Sequence, residues 1–331
     1  MTSRELVKRA IHFQNPPRIP VNYDSNRTPL REEYGEDMIW GFVDPDPNFQ
    51  PFNENGDKVD EWGCVWKSMG ETFGEPTNFP LQGLETFADT PLPHLDDPAR
   101  YESIREIVRK NKGEKYVMGM LPCGIFQIMI HLFGFEDFMY QIAGNTEEYT
   151  AFAYNLNELC IRCIHQMADA GVDGIILIED MGLQDRMMIS PAMWHEIYAP
   201  LYTKMFEAAH SRGLDVLSHT CGHIVSILDD YIACGLDVIQ MDQQDNMGLE
   251  TLSQFAGRVC FFCPMDIQTT IGFTREQAME RTRRMVEYLA TPQGGFMAKT
   301  YPQPDAIHIT DEYMRNMVDG FTAASKAYYG A

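Results

Sequence analysis

The stretch Arg212-Gly213-Leu214-Asp215-Val216-Leu217-Ser218-His219-Thr220-Cys221-Gly222 says most about both the fold and the chemistry of this chain. A glycine followed by an apolar run is typical of a helix that ends and a buried strand that begins. Alternate side chains of an extended backbone share a face, so His219 and Cys221 are expected to point the same way. Zinc prefers imidazole nitrogen and thiolate sulfur as ligands. The spacing indicates half of a metal site, whereas a chance occurrence would leave Cys221 as a small buried apolar residue.

The junction of a glycine and an apolar run also occurs at residues 170–174 and 234–237. Apolar strand candidates lie at residues 19–23, 116–121, 174–179, 215–219, 237–241, 259–263 and 296–300. Helical stretches separate the later strands, at residues 191–212, 224–234, 247–255 and 274–291. Strands that alternate with helices predict a parallel sheet with right-handed crossovers. With one further strand easily overlooked, the pattern predicts an α/β fold, a (β/α)8 TIM barrel.

Residues 45–95 do not fit this alternation. This Pro- and Gly-rich stretch contains Asp60-Glu61-Trp62-Gly63-Cys64-Val65-Trp66, whose alternating pattern predicts a β-hairpin. We interpret it as an N-terminal hairpin and loop decoration of the barrel, within a single domain of residues 1–331.

Composition excludes several classes of function. The chain of 331 residues has a formal charge of −22, which argues against a nucleic-acid partner, because phosphate contacts need clustered Lys and Arg. No stretch approaches the roughly 18 apolar residues of a membrane helix, and the amphipathic start at residues 1–9 predicts a cytoplasmic protein. Eight cysteines are too sparse for a disulfide scaffold. The pair Cys160-x-x-Cys163 lies in a predicted helix at residues 151–168, and we expect both thiols to face the core.

Groups at the carboxyl ends of barrel strands converge on one cavity. That rule collects Glu179, Asp180, His219, Cys221, Asp242, Gln243, Gln244, Cys263, Asp266, Gln268 and Tyr301. Carboxylates, amides and a second thiol therefore flank the His-x-Cys pair. Among basic residues only Lys299 belongs to these strand ends, which argues against a polyanionic substrate.

Several of these residues also have purely structural interpretations. Asp180 is a suitable cap for the helix that follows it. Asp266 is suited to fixing its own loop through hydrogen bonds to the backbone. Gln243 and Gln244 are equally well explained as solvated loop residues. The sequence leaves both interpretations open for each residue.

A family resemblance rests on motifs in order along nearly the whole chain. They are Pro17-Arg18-Ile19-Pro20-Val21, Asp60-Glu61-Trp62-Gly63, Glu179-Asp180-Met181-Gly182-Leu183-Gln184 with Ile189-Ser190-Pro191, His219-Thr220-Cys221-Gly222, Pro264-Met265-Asp266-Ile267-Gln268-Thr269-Thr270 and Gly294-Gly295-Phe296. The chain resembles the uroporphyrinogen decarboxylase superfamily. Within it, the chain is similar to the corrinoid-dependent methyltransferases, especially the first methyltransferases of O-demethylase systems. The resemblance implies a (β/α)8 barrel, a zinc ion that activates a methyl donor or acceptor, and a partner protein that carries a corrinoid (cobalamin) and docks over the barrel mouth.

Two departures from the family pattern matter. Uroporphyrinogen decarboxylases carry an N-terminal arginine-rich motif, and this chain offers a single arginine there, Arg27. Thiol-methylating members complete their zinc site with a cysteine after the Gly-Gly strand, where this chain has Phe296-Met297-Ala298-Lys299-Thr300-Tyr301. A third ligand must come from elsewhere. Glu179 is our first choice because it ends a neighbouring strand, and Cys263 is the second.

The resulting hypothesis is cleavage of a methyl ether, preferentially aromatic, with transfer of the methyl group to Co(I) of the partner's corrinoid. Zinc on His219 and Cys221 would act as a Lewis acid, with Asp180, Gln184 or Tyr301 orienting the substrate or supplying a proton. Gln243 and Asp266 complete the set of candidate catalytic residues. A metal-free decarboxylase that uses Asp180 or Asp266, and a barrel without catalytic activity, remain alternatives. The methyl donor and the oligomeric state, a homo-oligomer included, are left open.

Overall fold

A computed structural model gives the fold and describes residues 1–23, 29–67, 74–144 and 146–330. The strands are, in chain order, β1 (Val21–Asn22), β2 (Met38–Phe42), β3 (Lys58–Val59), β4 (Val65–Lys67), β5 (Glu75–Asn78), β6 (Tyr116–Met120), β7 (Gly174–Ile178), β8 (Asp215–His219), β9 (Val238–Gln240), β10 (Cys260–Cys263) and β11 (Phe296–Lys299). The helices are α1 (Ser3–Ile11), α2 (Leu30–Tyr34), α3 (Glu102–Asn111), α4 (Gln127–Phe133), α5 (Phe135–Gly144), α6 (Thr146–Ala170), α7 (Pro191–Met193), α8 (Ala199–Ser211), α9 (Val225–Ala233), α10 (Leu249–Leu252), α11 (Arg275–Leu289) and α12 (Asp311–Tyr329). Short 3-10 turns lie at Pro98–Tyr101, Gln244–Asn246, Ser253–Phe255 and Pro304–Ile307, and a π-helical turn at Trp194–Tyr198 joins α7 to α8.

Eight parallel strands form a nearly closed barrel in the order β1-β11-β10-β9-β8-β7-β6-β2. The two end strands meet at Asp37, whose backbone N–H donates to Val21 O at 2.8 Å. The Asp37 carboxylate in turn accepts from the N–H of Val21 at 2.9 Å. These bonds close the ring of strands, with helices packed around it. The predicted (β/α)8 barrel is therefore confirmed.

The strand boundaries agree closely with the sequence patterns. Each of the seven predicted strands is present, and the overlooked eighth is β2. The expected glycines at positions 171, 213 and 235 all have positive φ angles and directly precede the segments that lead into β7, β8 and β9. The three glycines follow the ends of α6, α8 and α9, where the backbone adopts the left-handed conformation that terminates a helix. Cys160 and Cys163 lie in α6 and are fully buried, as predicted.

Helix α1 closes the end of the barrel opposite to the strand carboxyl ends. Its side chains Val7, Ala10 and Ile11 belong to the buried cluster inside the barrel. The other members of that cluster come from the strands: Met38, Tyr116, Met118, Ile176, Leu217, Val238, Cys260, Phe262 and Met297. His12, just after α1, lies 2.8 Å from Asp215 at the start of β8. The barrel therefore has a packed apolar interior and a sealed floor.

The predicted hairpin is present as β3 and β4, which pair antiparallel on either side of residues 60–64. The Asp60 carboxylate fixes the turn by accepting from the backbone N–H groups of Trp62 and Cys64 and from the indole N–H of Trp66. A third strand, β5, which the sequence did not reveal, extends the hairpin into a small sheet.

Candidate active site at the barrel mouth

The loops that leave β7 and β8 cross each other at a pair of glycines. The backbone N–H of Gly182 donates to Cys221 O at 3.1 Å. Gly222 has a φ of +78°, and a Cβ atom placed on it would lie 2.2 Å from the carbonyl carbon of Gly182. A side chain at this position is excluded by both the backbone conformation and the contact. The crossing brings Asp180 of one loop beside Cys221 of the other.

Asp180, His219 and Cys221 form a cluster at the carboxyl ends of β7 and β8. His219 Nε2 lies 3.4 Å from Asp180 Oδ1 and 3.5 Å from Cys221 Sγ. The backbone N–H of Cys221 also donates to Asp180 Oδ1, at 2.9 Å. One ligand atom from each residue lies within 4.8 Å of the other two, and no other such group of three occurs in the described ranges. Nitrogen, sulfur and carboxylate oxygen are a donor set that suits zinc, so the residues fit a metal ion.

The three groups shift one another's pKa values. Burial alone lowers the pKa of His219, yet the nearby Asp180 carboxylate and Cys221 raise it well above its ordinary value. Burial favours a higher pKa for Asp180, but the interaction with His219 holds it below its ordinary value. Burial raises the pKa of the Cys221 thiol, and His219 offsets part of that rise. A bound cation would replace protons on the imidazole and the thiol, so metal binding at this cluster is linked to proton release.

A buried chain of polar side chains lies behind His219. His219 Nδ1 is hydrogen-bonded to Gln240 Oε1. Gln240 Nε2 donates to Asp242 Oδ1 at 2.7 Å, and Lys299 Nζ donates to the same oxygen at 3.0 Å. Gln240 and Asp242 are each 4% exposed and Lys299 is 8% exposed. Asp242 and Lys299 had been collected from the sequence, but Gln240, the last residue of β9, had not.

Glu179, the expected third ligand, is not part of the cluster. Its buried carboxylate accepts from the backbone N–H groups of Phe126 and Gln127 at 3.0 and 2.8 Å, and from the Tyr202 hydroxyl at 2.9 Å. Burial raises the pKa of Glu179 to about 7, against the opposing effect of these hydrogen bonds. The side chain therefore caps the first turn of α4, and the structure places Asp180 rather than Glu179 beside the His-x-Cys pair.

The Cys263 side chain also points away from the cluster. Its thiol packs with Phe261 in the core between strands and helices, whereas Cys260 and Phe262 face the barrel interior. Alternation along β10 explains this placement, because neighbouring side chains on a strand point to opposite faces. Desolvation raises the pKa of the Cys263 thiol, which keeps it protonated. The structure does not bring Cys263 to the cluster of Asp180, His219 and Cys221.

Gln243 and Gln244 differ from each other in environment. Gln243 Oε1 accepts from the backbone N–H of Gly222 at 3.2 Å and so supports the loop that carries Cys221. Gln244 is fully buried, and its amide donates to Pro264 O at 2.6 Å. The interpretation of Gln244 as a solvated residue was wrong.

Asp266 and Gln184 are also placed by the structure. Asp266 is fully buried and accepts from the backbone N–H groups of Asp245, Gln268 and Thr269 at 2.8–2.9 Å. It fixes its own loop, as the structural interpretation proposed. Gln184 is exposed in the turn that follows Gly182.

Tyr301 borders the cluster from the end of β11. Its side chain is half-buried. Burial, followed by the electrostatic effect of Asp242, Cys221 and Asp180, raises the pKa of its phenol. The Tyr301 hydroxyl therefore keeps its hydrogen and can donate a hydrogen bond.

An apolar wall faces the interior on the other side of His219. Directly paired residues of parallel strands share a face, and β8 residue His219 pairs with Ile178. Met120 and Trp40 pack against the interior cluster from β6 and β2, and Phe42 pairs with Met120. All four side chains are at least partly exposed. The mouth is therefore polar on the side of β8, β9 and β11, and apolar on the side of β2, β6 and β7.

The model of the family described as uroporphyrinogen decarboxylase (URO-D) matches residues 78–300, more than half of the chain. The chain belongs to the uroporphyrinogen decarboxylase family. The match includes both the crossing loops and the cluster of Asp180, His219 and Cys221. It ends before Tyr301, and it begins after Arg27, which lies outside the described residues.

Comparison with solved structures finds matches at low sequence identity. A methyltransferase from Methanosarcina mazei is 14% identical, covers 98% of this chain and 99% of its own, and superposes with a TM-score of 0.73. A B12-independent methionine synthase from Shewanella sp. W3-18-1 is 12% identical, covers 68% of this chain and 65% of its own, and gives a TM-score of 0.43. The first likeness supports the family's barrel architecture over the full chain.

A shorter match involves a protein of Staphylococcus saprophyticus that bears the name of a pre-16S rRNA nuclease. The two are 32% identical over an alignment 83 residues long, and the match covers 23% of this chain. The chain spans only 58% of the length of that curated relative. Among the described residues, no helix combines the length and apolar character that a membrane crossing requires.

Proposed function

We propose that this member of the uroporphyrinogen decarboxylase family transfers a methyl group from a methyl ether, preferentially an aryl ether, to the Co(I) corrinoid of a partner protein. The observation that carries the proposal is the cluster of Asp180, His219 and Cys221 at the open end of the barrel. Its N, S and O atoms lie within 4.8 Å of one another. Metal-ligand chemistry is thus concentrated where barrel enzymes bind substrates.

His219, Cys221 and Asp180 are proposed to hold a zinc ion. Bound there, zinc supplies Lewis acidity that stabilises the negative charge developing on the departing oxygen. A phenolate is a poor leaving group, so an aryl ether needs this assistance. A corrinoid on the partner protein would supply the nucleophile, Co(I), and with it both electrons of the new bond to the methyl carbon. The electron pair of the broken C–O bond stays on oxygen.

The apolar wall supports an aryl substrate. Ile178 pairs directly with His219, so a substrate whose ether oxygen approaches the cluster has its apolar body beside Ile178. Met120 and Trp40 continue the wall across β6 and β2. An apolar surface next to a few polar groups is the usual composition of a small-molecule site.

Tyr301 is proposed to donate a hydrogen bond to the departing oxygen. Its pKa is raised by burial and by the charges around it, so the phenol is protonated before the reaction. Once the phenolate product has formed, the same hydroxyl is a hydrogen-bond donor to it. Asp180 cannot serve as this donor, because its pKa is held below its ordinary value and it is ionised.

Exposed apolar side chains around the mouth support docking of the corrinoid protein at this end. Phe42 is the last residue of β2, and Leu183 and Ile271 follow β7 and β10. The three residues are 58%, 41% and 39% exposed, in that order. Apolar groups on the rim of a site are suited to burial by a protein partner. The eight cysteines are free, in keeping with the proposal that the reaction takes place in the cytoplasm.

The test measures methyl transfer from methoxylated aromatics to a reduced corrinoid protein, together with the zinc content of the purified enzyme. We expect near-stoichiometric zinc and methyl transfer in the wild type. His219→Ala should lose both, whereas His195→Ala should lose neither, since His195 is an exposed residue of the turn before α8. Undiminished turnover in His219→Ala would refute the metal role.

The decarboxylase alternative makes a different prediction in the same assay. A metal-free lyase that used Asp266 would need this carboxylate to face a substrate, whereas Asp266 is engaged by three backbone N–H groups. Absence of zinc together with decarboxylation of a small carboxylic acid would favour the lyase. Corrinoid-dependent methyl transfer from any donor would exclude a barrel without catalytic activity.

A further inference from the structure

Hydrogen bonds link His219 to Gln240 and Gln240 to Asp242. The ion pair of Asp242 with Lys299 determines which group donates and which accepts in each of these bonds. Asp242 is buried, and its Oδ1 accepts a hydrogen bond from Lys299 Nζ at 3.0 Å. A carboxylate paired with an ammonium group is ionised and offers only acceptors. The atom of Gln240 that meets the same Oδ1 at 2.7 Å must therefore be the NH2 group.

The orientation of the Gln240 amide then determines the tautomer of His219. With its NH2 group on Asp242, the amide presents Oε1 to His219 Nδ1. This oxygen can only accept, so Nδ1 carries the hydrogen. In the neutral ring the lone pair is consequently on Nε2, the atom that lies 3.4 Å from Asp180 Oδ1 and 3.5 Å from Cys221 Sγ.

We propose that Gln240 is a positioning residue that holds His219 as the Nδ1–H tautomer and directs Nε2 to the metal. Asp242 and Lys299 act through Gln240 by fixing the direction of its amide. The opposite charges of Asp242 and Lys299 compensate each other. The hydrogen-bonded series therefore orients the Gln240 amide without adding net charge beside the cluster. The proposal rests on the metal site of the proposed function and adds to it the residue that prepares the imidazole.

Burial makes this arrangement rigid. Gln240 and Asp242 are 4% exposed and Lys299 is 8% exposed, so water does not compete for their hydrogen bonds. An amide that turned over would place NH2 against the ring N–H and its oxygen against the Asp242 carboxylate. Two unfavourable buried contacts would replace two good ones. Outer partners of a metal-binding histidine typically change metal affinity about 10–100-fold when they are removed.

The experiment compares three variants with the wild type. Gln240→Met removes the amide while keeping a side chain of similar length. The double variant Gln240→Glu/Asp242→Asn keeps the hydrogen bond of His219 Nδ1–H to an acceptor at position 240. The new carboxylate at position 240 accepts from Nδ1–H, and the new amide at position 242 donates to that carboxylate. Gln268→Met is the control for the substitution itself, since Gln268 is exposed.

Two readouts are measured on each variant: zinc affinity by competition with a chelator, and the 15N shifts of His219 in the zinc-free protein in alkaline buffer. Gln240→Met should bind zinc about 10–100-fold more weakly and lose the Nδ1–H tautomer. The double variant should retain the tautomer and bind zinc within a few-fold of the wild type, as should Gln268→Met.

Wild-type zinc affinity in Gln240→Met, or the Nε2–H tautomer in the wild type, would overturn the proposal. If Gln240→Met does not fold, the double variant decides: loss of the Nδ1–H tautomer there overturns the proposal, and its retention supports it. If the wild type binds no zinc, the metal-dependent function fails, while the 15N shifts still test the role of Gln240 separately.

Discussion

Replacing Gly222 by alanine should separate the two loops that carry the cluster of Asp180, His219 and Cys221. The new Cβ would lie 2.2 Å from the carbonyl carbon and oxygen of Gly182, so one loop must move by about 1 Å to reach an ordinary contact distance. The φ of +78° adds about 1–2 kcal/mol of backbone strain for alanine, and the forced contact adds about 1–3 kcal/mol. We expect the free energy of unfolding to fall by about 2–5 kcal/mol in total. The displacement of Cys221 relative to Asp180 should also weaken zinc binding at least about tenfold.

The chain offers a matched control at Gly213. This residue has a φ of +73°, but a Cβ placed on it would meet nothing within 4 Å. Gly213→Ala should therefore show the backbone strain alone, about 1–2 kcal/mol, and bind zinc as the wild type does. Urea unfolding and zinc titration of both variants give the comparison. If Gly222→Ala unfolds at the same urea concentration as Gly213→Ala and binds zinc normally, the glycine crossing does not hold the cluster together.

Two further predictions use single substitutions. Cys221→Ala should lose zinc binding, whereas Cys263→Ala should keep it, because the Cys263 thiol packs in the core outside the barrel interior; zinc titration of both variants checks this, and loss in Cys263→Ala would contradict it. At the barrel floor, the hydrogen bond to Asp215 raises the folded-state pKa of His12, so its stabilisation is complete below a pH of about 6.5 and is lost as the pH rises through the folded-state pKa. The difference in unfolding free energy between the wild type and His12→Gln should shrink as the pH rises, and a difference that grows would exclude this origin.

The sequence predicts the second half of the barrel well because each junction there carries a clear signal. Long helices end at a glycine that is followed within two residues by an apolar run, as at α8 and β8. The first half lacks this signal. β2 has a glycine near its centre, and α2 before it has only five residues, too few to display a helical period. The eighth strand was therefore expected without a position.

The sequence predicted that the site lies at the carboxyl ends of the strands. It did not show which of two adjacent side chains at a strand end faces the barrel interior. Both faces of a parallel barrel strand are buried, so β7 reads as a continuous apolar run with no alternation to show which face is inside. Glu179 and Asp180 are adjacent and therefore point to opposite faces, and nothing in the residue pattern favours Asp180 as the ligand. Gln240 was missed for the same reason, since its inward direction follows only from its pairing with His219.

The sealed floor has a consequence for the kinetics of the proposed reaction. Val7, Ala10 and Ile11 fill the barrel from below, so we expect small molecules to reach His219 through the mouth. A macromolecular acceptor seated on that mouth closes the same passage. In the proposed reaction we therefore expect the methyl ether to bind before the acceptor, and the demethylated phenol to leave after the acceptor has dissociated. For the proposed reaction, the fold thus predicts an ordered kinetic mechanism.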